Sequence, residues 1–80
     1  MKKAYLHYTV RWCFEGLPTV LLTHHIASCG DGKQIEHKAN LTAAYMRLYD
    51  SGITSLVSID CREVDECEYT LLKQQHMEVI

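Results

Sequence analysis

The chain has 80 residues, 48% of them hydrophobic and 22% charged, with a formal net charge of −2. That length makes one domain, the composition excludes a disordered chain, and the charge supplies no global basic field for nucleic acid or an anionic membrane. No run approaches the ~18 apolar residues of a membrane span.

Met1, Lys2 and Lys3 precede an alternating stretch, not the apolar core of a signal peptide, so a cytoplasmic protein with free thiols at its four cysteines is expected. A domain this small buries only roughly 60–65% of its surface. So much apolar content leaves some for a homodimer or a partner-covered face. Charge is uneven along the chain. Residues 1–40 hold five basic and three acidic side chains, and residues 41–80 hold three and seven.

Residues 3–15 alternate without a break. Ala4, Leu6, Tyr8, Val10, Trp12 and Phe14 fall on one side, and Lys3, Tyr5, His7, Thr9, Arg11, Cys13 and Glu15 on the other. Period two over that length is one long strand with a buried face and a wet face. Gly16, Leu17 and Pro18 read as a turn, and residues 19–29 as a second strand rich in apolar and β-branched residues. A three-residue loop sets Phe14 opposite Val20, Trp12 opposite Leu22, Val10 opposite His24 and Tyr8 opposite Ile26, all on one face. His7, Thr9, Arg11, Thr23 and His25 then share the outer face.

Gly30, Asp31 and Gly32 suit a second tight turn. A short edge strand over residues 33–38 is expected to return from it, with Ile35 inward. Asn40 is placed to cap a helix whose stripe is Leu41, Ala44, Tyr45 and Leu48, and Gly52 to end it. Residues 53–64 resume period two, with Ile53, Val57, Ile59 and Cys61 together. Residues 69–72 fit a last strand, the other reading being a short helix running to His76. The fold class expected is α+β: an antiparallel sheet of four to five strands, in the order βββαβ with a further strand, and one helix packed on one face.

No catalytic constellation stands out, and no enzyme and no cofactor are expected. There is no C-x2-C pair. The expected register gathers His7, His25 and Cys29 on the outer face as a candidate metal trio, the basis of a metal- or thiol-based reading. His24 and His25 are neighbours on a strand and point to opposite faces, with His24 the part-buried one. Gly30 and Gly32 before Lys33 lack the frame of a phosphate loop. Tyr5, His7 and Arg11 share a face that Lys2, Lys3, Lys33 and Lys38 could border, which supports an alternative as a small nucleic-acid-binding or regulatory domain.

The strongest surface feature is acidic. Asp60, Glu63, Asp65, Glu66 and Glu68 lie within nine residues, offset only by Arg62. Such a cluster steers encounter with a basic protein surface. Ala43, Met46 and Tyr49 could add apolar anchors. The function expected is a non-enzymatic protein-interaction module using sheet edges and this acidic patch. Its size and architecture resemble those of small phage-encoded inhibitors, including anti-CRISPR proteins. The resemblance is one of architecture, with no residue motif behind it, and it implies inhibition of a larger nucleic-acid-handling complex.

Overall fold

A computed structural model describes residues 2–75 and 78–79. The domain is α+β, built on three long antiparallel strands and two helices. In chain order the elements are β1 (Lys3–Phe14), β2 (Val20–Gly30), α1 (Gln34–Tyr49), β3 (Thr54–Val64), α2 (Glu66–Gln74) and β4 (Glu78–Val79). The sheet order is β3-β1-β2-β4. β1 is the central strand and runs antiparallel to both β2 and β3. β2 and β3 are therefore parallel to each other, with β1 between them. Joining two parallel strands requires a crossover, which α1 supplies.

That crossover replaces the third strand expected over residues 33–38. Those residues form the approach to α1 and its first turn, and Asn40 lies inside the helix instead of capping it. Gly32 takes a positive φ of 91°, and its N–H donates to the Gln34 side chain. Gln34 in turn donates to Asp31, so the loop closes on the start of the helix. Ile35, expected inward, is 87% exposed, because helical rotation turns it away from the sheet. Leu41 and Tyr45 of the expected stripe do pack inward, joined by His37 and Tyr49, whereas Ala44 and Leu48 are exposed.

The β1–β2 register differs from expectation by one residue. Tyr8 pairs with His25 and Thr9 with His24. The cause lies in the loop. Leu17 N–H closes a turn onto the Phe14 carbonyl, with Gly16 at φ 82°. Pro18 has no N–H to give the ladder, so pairing resumes only at Val20. A one-residue slip inverts every side chain of β2. His25 is buried on the α1 face, and His24 and Ile26 stand on the other.

Ile26 is nonetheless fully buried, because a second helix covers its face. Residues 69–72 belong to this helix, α2, not to a strand. Asp65 caps it, accepting from the Glu68 N–H at 2.7 Å. The pattern Asp65-x-x-Glu68 is a capping signal visible in the sequence. Tyr69 lays its ring 4.7 Å from that of Tyr5. The sheet thus has a helix on each face, where one helix on one face was expected. The last strand is the two-residue β4, parallel to β2.

The core follows β1. Leu6, Tyr8 and Ala27 form its centre, with Cys29, Leu41, Ile59 and Cys61 packed around them. In β3 the ladder to β1 slips between Arg11 and Trp12, where Ser58 and Leu56 are the partners and Val57 is extra. This bulge breaks the parity expected for β3. Ile59 and Cys61 face the core, while Val57 and Ile53 are exposed.

If both faces hold core, Ile26→Ala and Leu6→Ala should each cost about 2–5 kcal/mol of stability. Urea denaturation measures both. A cost for Ile26→Ala below about 1 kcal/mol would show that the α2 face is not a core face.

Candidate functional site

The exposed apolar side chains are not scattered. Phe14, Leu17, Val20, Leu22, Met46, Leu48, Ile53 and Val57 all stand in the half of the molecule that holds the β1–β2 loop and the end of α1. Only Ile35 and Leu71 lie elsewhere among the exposed large hydrophobic residues described. Two segments create this end. Residues 16–23 and residues 51–59 contain no Asp, Glu, Lys or Arg. The fold brings them together through Glu15, whose N–H donates to the Ile53 carbonyl at 2.8 Å and whose carboxylate accepts from the Ser55 hydroxyl.

β3 is the sheet edge at this end. Its inner side pairs with β1, and among the described residues nothing pairs with its outer side. Its first six residues, Thr54, Ser55, Leu56, Val57, Ser58 and Ile59, carry no charge and no proline. Long edge strands are ordinarily guarded by such residues. The bulge at Val57 is the one guard present.

A groove of about 500 Å³ runs between this edge and α1. Met46, Leu56, Val57 and Ile59 give it an apolar floor and rim, and Lys38 and Asp50 lie at its two ends. Beneath α1 the aromatic side chains are stacked and held. Trp12 packs on Tyr49 at 5.1 Å and donates its Nε1–H to Thr23 at 2.9 Å, and Tyr45 lies 5.8 Å from Tyr49. This row forms a back wall for the exposed apolar end.

The five acidic residues are dispersed in role. Asp60 forms an ion pair with Arg11. Glu68 accepts from Arg62 at 2.7 Å, and Asp65 caps α2. Glu63 takes a 3.4 Å hydrogen bond from Gln34, and Glu66 is exposed in the first turn of α2. Glu63, Asp65 and Glu66 line one open hollow, with Lys2 and Lys3 on its other wall. Of the three apolar anchors, Ala43 and Met46 are exposed and Tyr49 belongs to the aromatic row.

The expected metal trio does not assemble. His7 is on the α2 face, while His25 and Cys29 are on the α1 face, so the sheet lies between them. His25 is packed 5.3 Å from the Tyr45 ring. The thiols of Cys29 and Cys61 are pushed up by burial, and so is the Tyr8 phenol, whose hydroxyl lies 2.6 Å from His37 Nδ1. On the α2 face, Arg11 and Arg62 each pair with a carboxylate and Tyr5 packs against Tyr69.

What that face does hold is a chain of hydrogen bonds. Arg62 Nε donates to His7 Nδ1 at 3.0 Å. His7 Nε2 therefore carries the proton and donates to His24 Nδ1 at 3.2 Å, with the rings stacked at 5.3 Å. Thr9 Oγ1 lies 3.4 Å from the same His24 nitrogen. The chain links β1, β2 and β3 and, through Glu68, α2. It requires a neutral His7. Burial, then Arg62 and His24, lower the His7 pKa below its ordinary 6.5, against a smaller upward pull from Glu68.

Comparison with protein-family models, with curated proteins and with solved structures finds no match to this chain.

The folded state resists protonation of His7, so the unfolded chain binds that proton first as pH falls. The contribution of His7 to stability is full above about pH 6.5 and is lost below it, toward the lowered pKa of the folded state. Urea titrations of the wild type and His7→Gln, at about pH 7.5 and about pH 5.5, test this. The variant should lose less stability between the two pH values. An equal loss in both would remove His7 from the pH dependence.

Proposed function

We propose that the chain is a non-enzymatic protein-interaction module that binds through the open edge of β3 and the groove beside it. One observation carries the reading: an eleven-residue edge strand whose first half is uncharged lies against an apolar groove. An open edge offers a row of backbone donors and acceptors to an incoming strand, and a groove gives that strand's side chains somewhere to go. Apolar surface gathered at one end of a small domain is the usual mark of a covered face. Burial raises the Cys29 and Cys61 thiols above their ordinary range, which disfavours a thiolate nucleophile at those two positions.

A second surface is favoured by the hollow beside α2. Among the described residues Glu63 and Glu66 form no ion pair, and they suit a partner with a basic surface. Binding at both ends would let so small a domain block a larger nucleic-acid-handling complex.

Selection from a displayed library of random peptides, with dilute protein as bait, tests the main reading without a known partner. The expected winners are extended, β-branched peptides that bind the wild type and lose at least about tenfold in affinity for Val57→Lys. Peptides indifferent to Val57→Lys, or a library that yields no binder, would sink it. For the second surface, Glu63→Lys with Glu66→Lys should abolish capture of a basic peptide such as oligolysine in low salt. Unchanged capture removes that surface.

A further inference from the structure

We infer that the groove between α1 and β3 is an interface between two copies of this chain, related by a two-fold axis at Val57 and Ser58. The inference rests on the reading of this edge as the interaction surface and names its occupant.

The groove side of α1 is a single stripe, Lys38, Thr42, Met46 and Asp50, each four residues from the last. α1 runs antiparallel to β3. Gln34, at its start, reaches Glu63, and the Tyr49 carbonyl, at its end, accepts from Thr54. The groove therefore has a cation at one end and an anion at the other. Such a groove cannot match a copy laid in the same direction. It matches a copy turned by a two-fold rotation, because an isologous contact pairs each residue with its mirror position in the stripe. Lys38 of each copy then meets Asp50 of the other, and Thr42 meets Met46.

Strand geometry puts the axis in the same place. The stripe's midpoint is near residue 44. Rises of about 1.5 Å per helical residue and about 3.3 Å per strand residue, counted from both anchors, Gln34 beside Glu63 and Tyr49 beside Thr54, bracket that level with Val57 and Ser58 of β3 at its middle. These are the bulge residues. Two β3 edges thus run antiparallel, with Leu56 of each copy beside Ile59 of the other and Val57 beside Ser58. The bulges at the axis interrupt the ladder, so groove side chains supply much of the contact. Met46 and Val57, now 56% and 53% exposed, are covered at the centre.

Sedimentation velocity between about 1 µM and about 1 mM tests the inference. The wild type should reach twice the 9.2 kDa chain mass. Lys38→Asp alone and Asp50→Lys alone each place like charges together twice per dimer, and each should weaken association by at least about tenfold. Both positions are exposed, so circular dichroism should report normal folding. The double variant Lys38→Asp with Asp50→Lys should dimerise again. So should an equimolar mixture of the two single variants, as a heterodimer with two attractive contacts. A wild type that stays monomeric throughout overturns the inference. So does a dimer that both single variants leave intact, or one that neither the double variant nor the mixture restores. Peptide selection against Val57→Lys can still succeed in each of those cases, which separates failure of the dimer from failure of the interaction reading.

Discussion

The antiparallel pairing of Tyr8 with His25 sets the parity of the whole sheet. It puts His25 and Ala27 beneath α1 with Leu6 and Tyr8, and sends His24 and Ile26 to the opposite face. An exposed Ile26 in the middle of a strand would forfeit roughly 1.5–3 kcal/mol of burial. α2 recovers it by lying across that face, anchored by Tyr69 on Tyr5 and by Glu68 on Arg62. Both helices thus follow from one register, which a proline-bearing loop imposes.

That arrangement concentrates the core at one end. Ala4, Leu6, Tyr8, Val10, Ile26, Ala27 and Val64 are buried where the two helices sandwich the sheet. At the other end α2 is absent and α1 is finishing, so the same strands leave their apolar side chains open. A domain of this size cannot cover both ends with its own residues. The uncovered end is also where the two uncharged segments, residues 16–23 and 51–59, come together, and the edge strand there lacks the lysines and prolines that discourage pairing. Shape, charge and hydrogen-bonding capacity converge on one surface.

The polar groups tell a complementary story. On the α2 face, acids and bases that look available along the chain are spent on one another in the fold. Arg11 holds Asp60, Arg62 holds Glu68 and His7, and Asp65 closes the first turn of α2. Exposed ion pairs of this kind contribute little stability individually. Their effect here is to neutralise the α2 face and tie the second helix to the sheet. The open surface at the far end is apolar instead.

Local pattern was enough for the long first strand, for an α+β domain, and for a helix carrying Leu41 and Tyr45, because period two and period 3.6 are written in neighbouring residues. The cap of α2 was legible too, in Asp65 and Glu68, and so was the absence of charge in residues 16–23 and 51–59. What only the tertiary structure decided is parity and adjacency. Whether His24 or His25 is buried depends on the backbone path through Leu17, Pro18 and Thr19. The place of Val57 depends on a bulge that exists only against β1. That residues 33–38 form a turn of helix, not a strand, follows from the need to cross from β2 over β1 to β3. That two uncharged segments some thirty residues apart make one surface follows from the same crossover. These are non-local constraints, and no window along the chain contains both partners of any of them.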